Sequence, residues 1–186
     1  MPTDVTEDDR VVALATYAAT RSGRIDIWFN NAGFEGRPVA LDEVDDALVN
    51  EVLAVNVKGT YSGMRHAISY MPGGGVVINN ASPAGTKVFS PVGAIYGASK
   101  AALDTMSMAL ARVLAPEIRV IVIAPGMVHT GFVPGRTEEM MAAAAAATPL
   151  TRAVEADDVA KAVMACVTHL THTTGSIVRV DSGSLL

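Results

Sequence analysis

One cysteine in 186 residues, Cys166, excludes an internal disulfide framework and any metal site built on several thiolates. Charge is sparse as well: 18% of the residues are Asp, Glu, Lys or Arg, against about 25% in an ordinary soluble protein. The balance is acidic, a net −5 with no basic cluster, which excludes nucleic acid as the main partner. No apolar stretch reaches the roughly 18 residues of a membrane span, so no membrane partner is expected. Met1-Pro2-Thr3-Asp4 carries neither the basic nor the apolar region of a signal peptide, and a cytoplasmic protein is expected. His129, His169 and His172 do not stand at ligand spacing with acidic residues, so no metal is expected. What the sequence has in quantity is apolar residues, 50% of the chain, with a mean hydropathy of +0.33. Such a chain must bury a large core. Its length suits one domain, or part of one.

The periodicity predicts short apolar strands alternating with helices. Residues 7–22 read as an amphipathic helix with Thr6 as N-cap and Gly23 as its end. A strand over 25–29 runs into the turn Asn30-Asn31-Ala32-Gly33. After a polar loop containing Pro38, a long helical pattern covers 42–71 with a break near Asn50, and Pro72-Gly73-Gly74-Gly75 stops it. A strand over 76–80, a loop over 81–93, a helix over 94–115 and a strand over 118–124 follow. The segment 127–150 is irregular apart from a helical piece near 138–147. A last helix over 157–170 and a strand over 176–181 close the chain. Buried strands alternating with helices of ten residues or more imply an α/β fold, a parallel sheet with helices on both faces.

The chemistry concentrates in Ser82 … Tyr96-Gly97-Ala98-Ser99-Lys100. Tyr96 and Lys100, at i and i+4, share one helix face. An ammonium one turn away favours the phenolate and lowers a phenol's pKa of about 10. A phenol tuned that way can pass a proton to or from a carbonyl or alcohol oxygen. Ser82 ends a strand, where its hydroxyl can steady the same oxygen. A Ser82–His129 hydrolase pair is disfavoured, because Ser82 lacks a GxSxG elbow and the pair lacks an Asp.

With these residues in view, the chain resembles the short-chain dehydrogenase/reductase family. Separate segments match in order: Asp4-Val5-Thr6, Asn30-Asn31-Ala32-Gly33, Asn56-Val57-Lys58-Gly59, Ser82, Tyr96 with Lys100, Pro125-Gly126-Met127-Val128-His129-Thr130, and Val180-Asp181-Ser182-Gly183. The resemblance implies the C-terminal part of a doubly wound Rossmann-like sheet in a single domain, 1–186, with 127–150 covering the substrate. It implies an NAD- or NADP-dependent oxidoreductase interconverting a small-molecule alcohol and a ketone. Tyr96 would be the general acid/base, Lys100 would lower its pKa and bond the nicotinamide ribose, Ser82 would position the substrate oxygen, and Asn56 would hold a relay water. Asp4, Val5, Asn30, Ala32, Gly33, Tyr96, Lys100, Pro125, Gly126, Val128 and Thr130 would contact the cofactor. Phe132, Met140 and Met141 would line the substrate pocket. A homodimer or homotetramer through the helices 42–71 and 94–115 is implied too.

The departures are specific. Family members open with a strand, a TGxxxGxG loop that cradles the pyrophosphate, and a helix. Nothing here corresponds, and the chain enters the pattern late by roughly 50–60 residues, the size of about two βα units. Gly73-Gly74-Gly75 precedes a strand and reads as a turn. Gly59, Gly63, Gly93 and Gly97 read as sites of close helix packing. One extra residue separates Ser82 from Tyr96. The rival expectation is a catalytically inactive fragment or interaction subunit keeping the second half of the fold.

Overall fold

The computed structural model describes residues 1–37, 39–87, 93–133 and 135–186, and for residue 41 the backbone alone. The expected loops at Pro38 and over 88–92 lie outside the described residues.

The chain builds β1 (Ile27–Asn30), β2 (Gly75–Asn80), β3 (Ile118–Pro125) and β4 (Ile177–Val180) into one parallel sheet of order β1-β2-β3-β4. Trp28 stands opposite Val77, Val77 opposite Val120, and Ile123 opposite Val178. Alternate residues of each strand enter opposite faces. On one face α1 (Asp8–Ser22), α3 (Thr60–Ala67) and α4 (Ala94–Leu114) cover Trp28, Val77 and Val120 with Ala15, Met64 and Ala111. On the other, α6 (Ala156–Thr168) sets Val159, Val163 and Cys166 against Val76, Ile78, Ile121 and Ile123. Fully burying each of those large side chains is worth about 1.5–3 kcal/mol. Arg119 reaches from β3 to the carbonyls of Cys166 and Leu170 and closes the end of α6, where a cation suits the helix dipole. No helix of the described residues is long and apolar enough to cross a membrane.

Several boundaries differ from expectation for local reasons. Glu7, not Thr6, is the N-cap of α1, because the Thr6 hydroxyl donates to Asp4 Oδ1 instead. Gly23 ends α1 as expected, with φ 80°, donating its N–H to the Ala19 carbonyl. β1 starts two residues late, because the Ile25 N–H goes to the Tyr70 carbonyl and not to a strand. The helical stretch after Asp45, which caps α2 (Asp46–Leu53) through the Leu48 N–H, breaks later than Asn50. Its break is a π-helical segment, Ala54–Gly59, inserted between α2 and α3. A short turn, Pro83–Gly85, precedes α4, and α5 (Glu138–Ala146) lies in the irregular segment.

The glycines of the helices meet neighbours other than helices. A Cβ on Gly63 would lie 2.3 Å from Asn30 Oδ1 and 2.9 Å from Trp28 Nε1, so only hydrogen fits between α3 and the end of β1. A Cβ on Gly97 would meet the Ala84 carbonyl at 2.9 Å, and one on Gly59 would meet Val5 at 2.7 Å. Among the described residues, nothing lies within 4 Å of where a Cβ on Gly93 would sit, so they provide no close packing there.

Candidate active site

β1, β2 and β3 end side by side at Asn30, Asn80 and Pro125. The crevice beyond the carboxyl ends of parallel strands is where such folds bind ligands. α4 starts against the Pro83–Gly85 turn, and the absence of a Cβ at Gly97 lets it come that close.

Ser82, Tyr96 and Lys100 meet there. The Ser82 oxygen accepts the Ala84 N–H at 3.2 Å, and its hydroxyl stands near enough to the Tyr96 phenol to favour that group's charged form. The extra residue before Tyr96 therefore does not separate the two. Lys100 is 3% exposed, donates to the Asn80 carbonyl at 2.8 Å, and holds its ammonium 5.6 Å from the centre of the Tyr96 ring. That is within the range of a cation–π contact.

The electrostatics differ from the local expectation. The Tyr96 phenol is raised above its ordinary value, chiefly by burial; the Ser82 hydroxyl and Arg136 oppose this, and Glu35 adds to it. Burial lowers Lys100 to about 8, opposed by Asp104. Spacing alone suggested a lowered phenol, but desolvation disfavours the charged form of both groups and outweighs their proximity.

Asn56 sits in the π segment and is fully buried. Its Nδ2 donates to the Phe34 carbonyl at 2.8 Å and to Ser99 Oγ at 2.9 Å, while Oδ1 accepts the Phe34 N–H at 2.8 Å. Ser99 in turn donates to the Tyr96 carbonyl at 2.7 Å. Both amide hydrogens of Asn56 are thus taken, and the side chain clamps the loop after β1 to the first turn of α4. Helical π segments are frequent at functional sites because they re-aim a residue. The Ser99 link was readable only as part of the Tyr96–Lys100 motif, since nothing in sequence pairs it with Asn56.

The other expected residues fall in two groups. Gly33, Tyr96 and Phe132 come together: the Phe132 ring lies 6.5 Å from that of Tyr96 and would be 3.5 Å from a Cβ on Gly33. Arg136 faces Glu35 at 3.8 Å across the same opening. Pro125 and Gly126 close β3 against β4, Val128 bridges to Val154, and Thr130 accepts the Phe132 N–H. Ala32 is exposed at the crevice. Asn30 faces the other way. It accepts from Trp28 Nε1 and donates to Asn79 Oδ1, and Asn79 donates to Ser107, a buried polar ladder beneath the strand ends. Asp4 is exposed and folds back on Thr6, which holds its carboxyl below the usual carboxylate range; Val5 packs on Gly59. Met140 is 56% exposed, while Met141 is buried and lines, with His129 and Arg152, a groove under α5.

Residues 1–184 match the family described as enoyl-(acyl carrier protein) reductase. An uncharacterized oxidoreductase of Methylorubrum extorquens is 36% identical over 86% of this chain, which spans 65% of that protein. A cis-4-hydroxycyclohexanecarboxylate dehydrogenase of Sinomonas cyclohexanicum is 31% identical over 97% of the chain and 74% of its own length. A short-chain dehydrogenase of Burkholderia cenocepacia, solved in complex with NADP, superposes with a TM-score of 0.92 at 27% identity, over 100% of this chain and 76% of that one. With Ser82, Tyr96 and Lys100 gathered at the strand ends of a parallel sheet, these matches mean that the chain belongs to the short-chain dehydrogenase/reductase family.

Proposed function

We propose that the chain is an NAD(P)-dependent oxidoreductase that interconverts a small-molecule alcohol and a carbonyl, with Tyr96 as general acid/base. The observation that carries this is the contact of the Ser82 hydroxyl with Tyr96, over a buried Lys100 on the same helix. In reduction the phenol gives its proton to the substrate oxygen, and in oxidation the phenolate takes it back. Ser82 holds that oxygen. Asn56 and Ser99 fix the turn of α4 that carries the phenol.

The residues fit a nicotinamide nucleotide at this end of the crevice. Asn80 Oδ1 is buried without a hydrogen-bond partner among the described residues, on the residue whose carbonyl takes the Lys100 ammonium. An acceptor lacking a donor there suits a ribose hydroxyl. Tyr96, Lys100, Ala32, Gly33, Pro125, Gly126, Val128 and Thr130 would hold the nicotinamide half, and Asp4 and Val5 the adenine; Asn30 would act by shaping the turn, since its amide belongs to the ladder. When bound, the cofactor supplies the hydride donor or acceptor. Neighbouring structures were solved with NADP and NADPH, which favours the same cofactor class here.

The test is turnover of secondary alcohols with NAD⁺ and NADP⁺. Tyr96→Phe should lower it by about 10²–10⁴-fold, the usual worth of general acid/base catalysis, with the loss falling chiefly on kcat. Turnover within tenfold of wild type sinks the assignment.

A second reading, an inactive interaction subunit, is favoured by the bare back of β1, where Ile27 is 45% and Phe29 39% exposed. It expects no turnover in wild type and full retention of assembly. In either reading a homodimer or homotetramer through α2, α3 and α4 is the expected assembly, supported by the exposed Tyr61, Met108 and Val113 on those helices.

A further inference from the structure

Asp104 lies one turn beyond Lys100 on α4, the i, i+4 spacing that makes opposite charges neighbours on a helix. Both side chains are interior, 3% exposed for Lys100 and 7% for Asp104. Asp104 Oδ1 is buried with no hydrogen-bond partner among the described residues. A buried carboxylate left with a bare oxygen is unfavourable and calls for an account. Packing does not supply one, because Leu103 and Ser107 make the interior contacts of this stretch of α4 and would do so beside an apolar residue. Lys100 has the complementary need: among the described residues its ammonium donates to a neutral carbonyl, that of Asn80.

We propose that Asp104 is a positioning residue of the catalytic helix, whose buried carboxylate is the counter-charge that keeps the Lys100 ammonium charged in an apolar interior. The inference rests on the reading of Lys100 as the partner of Tyr96, but the coupling itself needs no turnover.

The charged groups acting on Asp104 are Arg179, from the neighbouring strand β4, and Lys100 on its own helix; Asp104 acts on Lys100. Burial raises Asp104 to about 6, against the opposing pull of Arg179 and Lys100. Burial lowers Lys100 to about 8, and Asp104 holds it up. Both groups are therefore ionised between about pH 6 and 8. Without Asp104, Lys100 loses its proton at lower pH, because a desolvated cation without a counter-charge neutralises. The coupling is reciprocal by linkage.

The experiment is an NMR titration of the whole 186-residue chain, following lysine ¹³Cε and aspartate ¹³Cγ signals. In wild type, Lys100 should titrate near 8 and Asp104 near 6. In Asp104→Asn, the Lys100 midpoint should move to lower pH. In Lys100→Met, the Asp104 midpoint should move to higher pH. Each near-isosteric variant reports on the residue the other removes, so misfolding of one leaves the other decisive. A midpoint that stays in place in a variant with native circular dichroism overturns the proposal. Failure of the functional reading would look different: no turnover, with the reciprocal shifts intact.

Discussion

Removing one oxygen atom at Ser99 tests whether the clamp behind the phenol exists. Ser99 is fully buried, accepts from Asn56 Nδ2 at 2.9 Å, and donates to the Tyr96 carbonyl at 2.7 Å. In Ser99→Ala one Asn56 N–H remains buried without an acceptor, which costs about 1–3 kcal/mol. Alanine is the better helix former by about 0.5 kcal/mol, which offsets part of that loss. The net destabilisation is about 1.5 kcal/mol. With a urea dependence of about 2 kcal/mol per molar, as for small proteins, the midpoint of unfolding should fall by about 0.7 M. Ser69→Ala, on the exposed surface, is the control and should not move it. Turnover should fall with the midpoint, since the loop after β1 loses its tie to the turn of α4 that carries Tyr96. The effect on kcat should exceed that on KM. A Ser99→Ala midpoint within 0.2 M of wild type would refute the clamp.

Gly63→Ala forces a carbon to within 2.3 Å of Asn30 Oδ1. Overpacking of that kind costs about 1–3 kcal/mol, and displacing Asn30 breaks the bond to Trp28, so tryptophan fluorescence should change along with stability. Lys100 is lowered to about 8 from an ordinary 10.5, so its charged form opposes folding below about 8 and that opposition fades between 8 and 10.5. Lys100→Met should therefore be the more stable protein at pH 7 and lose that advantage as pH rises through this window; urea midpoints at pH 7 and 10 check it. β1 is an edge strand with Ile27 and Phe29 exposed, a template for pairing with other chains. Ile27→Lys should reduce concentration-dependent association of the 186-residue chain in light scattering, and unchanged scattering counts against the edge as the contact.

The local signals in this sequence were strong where a rule needs only neighbours along the chain. Gly23 ends α1 because only glycine takes φ 80° there at no steric cost, and the apolar runs at Val76 and Ile121 could only be interior strands. Tyr96 and Lys100 share a helix face because the helix repeats every 3.6 residues. The Ser82–Tyr96 approach was expected from the motif, and the structure supplies its cause in the bare α-carbon of Gly97 against Ala84. What tertiary structure decided is everything set by burial and by partners distant in sequence. The phenol is raised, not lowered, because desolvation at the packed strand ends is the largest influence on it and outweighs the opposing Ser82 and Arg136. The break in the long helix falls at Asn56 and not Asn50, where the side chain finds Phe34 and Ser99. Asn30 turns to Asn79, a strand away, and not to the crevice. The bare back of Ile27 and Phe29 is of the same kind: the apolar run predicts burial on both faces, and only the packing determines that α6 covers β2 and β3 and stops short of β1.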